Sequence, residues 1–269
     1  MKVLVTGSAG QLGRTLLARC PEEFKIVGVD RDDADIGDEN QVDALVEKVQ
    51  PDVIVNTAAY TAVDRAESDE DAARRVNVFG ARNLAATGVR LVQISTDFVF
   101  DGEAEEPYAP NAATGPLGVY GRSKLDGETV VRELLPDNSI VLRTAWLYSE
   151  YGSNFVDTML RLMRERDGVQ VVDDQVGSPT WARSVAEVIY AMIARDRVSG
   201  TYHWTDGGQT SWYDFACAIQ EEALNLGQID KPTAIRPVTS EEYPTVATRP
   251  AFSVLDCSAT TAEFGVVQK

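Results

Sequence analysis

One histidine, His203, and three scattered cysteines, Cys20, Cys217 and Cys257, are all that 269 residues contain of these two types. A single imidazole makes most His-based triads and His-rich metal clusters unavailable. Without a Cys-x-x-Cys pair, neither a zinc site nor a disulfide framework is expected. No run of about 18 apolar residues occurs, so no membrane span is predicted. Met1-Lys2 leads straight into strand-like sequence, without the sections of a secretory signal, and a cytoplasmic location is expected. Positive charge is scarce too: 42 acidic against 25 basic side chains leave a net charge of −17. Such a surface repels nucleic acid and anionic lipid, so neither is expected as a partner. The bland reading of this acidity is an ordinary soluble enzyme. The sharper reading is adaptation to high salt, where screening relieves self-repulsion. On the sharper reading the melting temperature rises substantially between low and molar KCl; on the bland one it stays flat.

What the chain does have is alternation. Lys2–Thr6, Lys25–Asp30, Val53–Ala59, Leu91–Thr96 and Ile140–Trp146 are apolar, β-branched runs that read as buried parallel strands. Between them, Gln11–Cys20, Glu39–Gln50, Glu70–Thr87 and Tyr120–Leu135 carry helical spacing, with a cap at Asp38-Glu39-Asn40 and a stop at Pro51. This βα rhythm predicts an α/β fold with a Rossmann-like, doubly wound parallel sheet. It loosens after about residue 150, where Asp173–Thr180 reads as a polar loop. The expected division is a dinucleotide-binding domain over residues 1–150 and a smaller, mainly substrate-binding lobe over 151–269, with segments crossing between them. His203, in Gly200-Thr201-Tyr202-His203-Trp204, reads as a buried strand-end histidine.

Two motifs carry chemistry. The first is Gly7-x-x-Gly10-x-x-Gly13, directly after the first strand. Three glycines at a strand–helix turn can be simple turn chemistry. Opening a chain with βα alternation, they point to a cradle for a dinucleotide pyrophosphate at a helix N-terminus. Asp30 ends the second strand and suits ribose hydroxyls, which favours NAD; Arg31 follows and suits a 2′-phosphate, which favours NADP. These two signals conflict. The second motif is Tyr120-x-x-x-Lys124, which places a phenol and an ammonium on one helix face. A lysine beside a tyrosine favours the phenolate, and a tyrosine so held can pass protons to or from a carbonyl. Ser95-Thr96-Asp97 ends the fourth strand, at the crevice side of a parallel sheet, where Thr96 can donate to the same carbonyl. A capping role for these three residues is the alternative.

The chain resembles the extended short-chain dehydrogenase/reductase superfamily and, within it, the dTDP-4-dehydrorhamnose reductase family. The segments that carry the resemblance are Gly7–Gly13, Pro51–Asp64, Ser95–Gly102, Tyr120–Lys124, Arg143–Tyr148, Asp173–Thr180, Tyr243-Pro244-Thr245 and Arg249-Pro250. The resemblance implies Thr96, Tyr120 and Lys124 as the catalytic triad. It implies Gln11 and Leu12 against the cofactor pyrophosphate, beside the cofactor-binding glycines Gly7, Gly10 and Gly13 read from the motif, Asp35 and Ile36 near the adenine, and Ala58, Ala59 and Tyr60 on the nicotinamide side. Thr96, Asp97, Tyr120 and Trp146 would touch the sugar nucleotide. NADPH or NADH is the implied cofactor, a dTDP-sugar the partner, and no metal is implied. The chain ends at Lys269, soon after Phe264, where family members usually continue into a helix with a tryptophan. A homodimer is open on this resemblance, apart from contacts made through that tail.

The activity implied is reduction of the C4 ketone of a dTDP-activated 6-deoxy sugar. Two rivals stand beside it. Dehydratases and epimerases use the same scaffold, but dehydratases carry an acid after the Thr-Asp pair, where this chain has Phe98. A cofactor-binding regulatory subunit is the other, and an intact Tyr120–Lys124 pair speaks against it.

Overall fold

The computed structural model describes residues 1–269. Strands β1 (Lys2–Thr6), β2 (Lys25–Val29), β3 (Val53–Asn56), β4 (Arg90–Thr96) and β5 (Ser139–Thr144) form where the apolar runs predict them, although β3 and β5 stop at Asn56 and Thr144, before the predicted ends Ala59 and Trp146. Helices α1 (Gln11–Ala18) and α2 (Glu39–Val49) lie between the first three. The Asp38 carboxylate caps α2, accepting from the Asn40 and Gln41 amides at 3.0 and 3.3 Å. The next helical region is not uniform. Helix α3 begins as Glu70–Arg74, widens into a π-helical turn at Arg75–Gly80 and closes as Ala81–Ala86. π-turns gather at functional positions, and this one faces the ligand cleft. Helix α4 (Val119–Leu134) follows β4, and Gly121 seats it: a Cβ there would collide with the Phe98 carbonyl.

The second half supplies α5 (Phe155–Glu165), β6 (Gly168–Val172), α6 (Ala182–Ile193), β7 (Gly200–His203), α7 (Trp212–Asn225) and β8 (Ala234–Val238). The main sheet has six strands in the order β7-β5-β4-β3-β1-β2, all parallel. The connection reverses direction between β1 and β3, and a crevice forms outside the strand ends there.

Both faces of the sheet are covered, so alternate residues of one strand enter two separate cores. Val3 and Val5 pack with Leu12, Leu16, Val185 and Ile189 under α1 and α6. Leu4, between them, packs with Val42, Leu84 and Val131 under α2, α3 and α4. This explains runs without polar alternation. Helix α6 comes from the second half yet docks on α1, where the Tyr190 hydroxyl donates to the Leu16 carbonyl at 2.6 Å. A third core, with Met159, Met163, Val169, Val171, Ala216 and Ile219, joins α5, α7 and the β6–β8 pair into the lobe beside the crevice.

Candidate active site

A cleft of about 920 Å³ opens at the carboxyl ends of β1, β3, β4 and β5, and every catalytic, cofactor-binding and substrate-binding candidate named above lines it. At one end is the glycine turn. Gly7 adopts φ +70°, a left-handed conformation, and a Cβ there would stand 2.6 Å from the Ala58 backbone. Gly13 faces the Gly7 carbonyl, with no room for a Cβ. Gly10 heads α1 without a side-chain cap, so the first amides of that helix are free for an anion.

Asp30 closes this turn: its carboxylate accepts from the Ala9 amide at 2.8 Å and from the Arg31 amide at 2.7 Å. Arg31 lies exposed along the same wall. Opposite stands Arg75, which sequence reasoning missed. It comes from the π-turn of α3 and pairs with Asp35 at 2.8 Å. Nothing in the spacing of Glu70–Thr87 marks it, because a regular helix would not single out that position. Ile36 is buried, its carbonyl held by Asn83 at 2.9 Å. Across the crevice, Ala58, Ala59 and Tyr60 form a short wall. Asn77, also from the π-turn, accepts from the Tyr60 amide at 2.9 Å and donates to Ser123 on α4 at 2.9 Å.

The Tyr120–Lys124 spacing does place both side chains on one face of α4, lining the cleft, with Lys124 buried and Tyr120 half-buried. The expected electrostatic partnership differs. The Lys124 ammonium donates to the Ile94 carbonyl at 2.6 Å, and burial brings its pKa down to about 8 against the pull of Glu128. The Tyr120 phenol is not drawn toward the phenolate: burial pushes its pKa up to about 12, the Asp97 charge adds to the rise, and a hydrogen bond with Thr96 opposes it. Desolvation of the half-buried phenol outweighs a lysine anchored elsewhere. Tyr120 therefore keeps its proton throughout the neutral range.

Thr96 ends β4. Its hydroxyl donates to Asp97 Oδ1 at 2.9 Å and accepts from the Phe98 amide at 3.2 Å, so it caps the turn and borders the cleft at once. Burial raises the Asp97 carboxyl to about 6, with hydrogen bonds from Ser253 and Thr96 pulling the other way. Asp97 Oδ2 and Thr144 Oγ1 are buried without a protein partner, and both residues line the cleft. Buried polar atoms demand hydrogen bonds, so a polar ligand suits this end. The Phe98 ring packs edge-on against Tyr120, centroids 5.6 Å apart.

Trp146 sits in left-handed backbone at φ 46°, a strained choice for a bulky residue. Its indole stacks on Trp212 of α7 at 3.5 Å and 7°. Trp212 carries no motif of its own and only tertiary packing reveals it. Behind α4, the fully buried Glu128 accepts from Arg143 Nε at 2.8 Å and Nη2 at 2.7 Å, and from the Ser95 hydroxyl. His203, buried on β7 as expected, donates from Nδ1 to the Tyr108 carbonyl at 3.0 Å and accepts at Nε2 from Arg143 at 3.3 Å. It has no place in the cleft.

The model of the RmlD substrate binding domain family matches residues 1–269, the whole chain. The chain belongs to the dTDP-4-dehydrorhamnose reductase family. A family member from Aggregatibacter actinomycetemcomitans, named dTDP-4-dehydrorhamnose reductase, is 39% identical over 98% of this chain and 94% of its own. A Streptomyces niveus relative named dTDP-4-keto-6-deoxy-D-glucose reductase is 45% identical over 94% and 87%. The crystal structure of the Bacillus anthracis dTDP-4-dehydrorhamnose reductase, in complex with NADP, superposes with a TM-score of 0.92 at 38% identity, covering 99% of this chain and 94% of that one. Solved dTDP-glucose 4,6-dehydratases share the fold at 19% identity.

Proposed function

We propose that the chain reduces the C4 ketone of dTDP-4-dehydro-L-rhamnose to the alcohol of dTDP-L-rhamnose, with NADPH or NADH. The observation that carries this reading is the convergence of Thr96, Tyr120 and Lys124 in the cleft that the glycine turn opens. The cradle fits a dinucleotide: side chains at Gly7 and Gly13 would fill it. When bound there, the reduced nicotinamide supplies the hydride.

This chain's own residues do the rest. Gly7, Gly10, Gln11, Leu12 and Gly13 hold the pyrophosphate at the start of α1. Asp30, Arg31, Asp35 and Ile36 take the adenosine end, and Ala58, Ala59 and Tyr60 bound the nicotinamide. Lys124 holds the nicotinamide ribose. Thr96 orients the ketone oxygen, and Tyr120, protonated at rest, delivers its proton there as general acid. Asp97 and Trp146 bind the sugar nucleotide. On this reading residues 1–150 bind the dinucleotide and also lend Thr96, Asp97, Tyr120 and Trp146 to the sugar, while 151–269 mainly bind substrate, with segments crossing between the two. A cytoplasmic setting, a homodimer and tolerance of high salt complete the reading.

Two experiments test it. Incubation with dTDP-4-dehydro-L-rhamnose should consume about one reduced cofactor per ketone, with stoichiometric loss of absorbance at 340 nm and a 4-hydroxy product. Dehydration of dTDP-glucose without net redox change overturns the reductase reading, although Phe98, packed on Tyr120, leaves no second acid there. Arg31→Ala should shift preference toward NADH, since the guanidinium attracts a 2′-phosphate that Asp30 repels. An unchanged ratio of specificity constants removes Arg31 from the adenosine pocket.

A further inference from the structure

Helix α4 carries the proton donor on its first turn, yet it begins without a cap of its own. Gly118 occupies the N-cap in extended backbone, φ −129° and ψ 173°, with no side chain to accept from the first amides. Uncapped amides leave a first turn free to fray. The missing acceptor arrives from 52 residues earlier in the chain. Glu67, closing the helical turn Val63–Ala66, is half-buried, and its Oε1 accepts from the Val119 amide at 2.7 Å. A carboxylate here also meets the positive end of the helix dipole. Gly118 makes the contact possible, since a Cβ would stand 2.6 Å from Glu67 Oε1. A φ of −129° suits any residue. What the position uses is therefore the absence of a side chain.

The segment around Glu67 is itself held. Asp64 takes Arg249 through two bonds of 3.1 and 2.7 Å and the Ala247 amide at 3.0 Å. The Tyr60 hydroxyl donates to Asp69 at 3.2 Å, and the Tyr60 amide is fixed by Asn77. Glu67 thus reaches α4 from an anchored support.

We propose that Glu67 is a positioning residue for the proton donor: by capping α4 from outside the helix, it fixes the first turn and with it the place of Tyr120. The inference rests on Tyr120 being the general acid. Lys124 lies one turn further on and has its own anchor at the Ile94 carbonyl. Loss of the cap should therefore misplace the acid more than the cofactor.

The experiment uses the full chain with Glu67→Ala, Glu67→Gln, Gly118→Ala and the Gly118→Ala/Glu67→Ala double variant. Steady-state kcat and KM are measured for NADPH and the dTDP-4-keto sugar, beside melting temperature. Glu67→Ala and Gly118→Ala should each lower kcat by roughly ten- to a hundredfold, the scale of a small misplacement of a reacting group, with the NADPH KM unchanged. Glu67→Gln keeps an accepting oxygen and should restore most of the turnover. The double variant should be no worse than Glu67→Ala, because both changes remove one contact. Full additivity overturns the proposal, as does a Glu67→Ala enzyme with lowered melting temperature and normal kcat. Should Glu67→Ala not fold, Gly118→Ala and Glu67→Gln decide the matter between them. Failure of the underlying reading has a separate signature, which is normal turnover in Tyr120→Phe.

Discussion

Tyr120→Phe is expected to lower kcat by about 10²–10⁴-fold and to leave binding of the reduced cofactor intact. The substitution removes one hydroxyl from a half-buried ring that keeps its packing against Phe98. The magnitude follows from the state of that hydroxyl. With its pKa pushed up to about 12 by burial, and further by Asp97, the phenol is fully protonated before reaction and needs no proton from solvent. Lys124→Ala should instead weaken both turnover and cofactor binding. Lysine adds a pH signature: burial sets its pKa near 8, so kcat/KM should fall as pH rises through that value, and the limb should vanish in Lys124→Ala. Steady-state kinetics with cofactor titration checks each point. A Tyr120→Phe enzyme with wild-type turnover would take the acid role away from this residue.

Arg143→Met is expected to destabilise the fold by about 3–5 kcal/mol, as breaking a buried ion pair from one side does. Glu128 is completely buried, and Arg143 gives it two of its hydrogen bonds. Burial works against the Glu128 carboxylate, yet Arg143, Ser95 and Arg132 outweigh it and hold its pKa below the ordinary range. The same arginine faces His203. Burial, then the Arg143 charge, push that imidazole down to about 3. An unfolded histidine titrates near 6.5. Because the folded pKa is the lower one, the neutral His203 contributes stability that is complete above about pH 6.5 and is lost as pH falls toward 3. Glu128 acts in the same direction, its contribution disappearing as pH drops through its lowered folded value. Urea unfolding of both enzymes at pH 7 measures the ion pair, and the wild-type comparison between pH 7 and 5 measures the His203 effect, that of Glu128 lying below about pH 4.5. An unchanged midpoint in Arg143→Met, or equal stability at the two pH values, refutes the account.

Most of the sheet was legible in the sequence because burial on both faces leaves a plain mark. Val3-Leu4-Val5 and Val53-Ile54-Val55 feed two cores at once and so are apolar without interruption. The cap at Asp38 and the glycine turn were legible for local reasons, since each is settled by backbone hydrogen bonds or by space within a few residues. Arg75, Asn77, Glu67 and Trp212 were not. Each reaches the cleft, or the helix and indole that shape it, through tertiary packing, and their neighbours in sequence obey no period that would mark them. The Tyr120–Lys124 relation shows a different limit. Spacing correctly places two groups on one face, but the sign of a pKa shift depends on desolvation and on where the ammonium finds its acceptor. Here that acceptor is a strand carbonyl, Ile94.

The outermost strand of the main sheet, β7, has a consequence for how the chain is made. It pairs along β5 from Ile140 to Arg143 but is encoded some 60 residues later, at Gly200–His203. As synthesis proceeds from the N-terminus, β5 emerges with one row of backbone donors and acceptors unpaired, and such an open edge is a template for association with other chains. Helix α6, which covers Leu12, Leu16 and Val92, also arrives late. A nascent chain stopped near residue 150 therefore presents a sticky edge and an uncovered apolar face at the same time. The first half of this protein carries the complete glycine turn and the tyrosine–lysine pair, yet by this logic it depends on the second half to fold as a soluble unit.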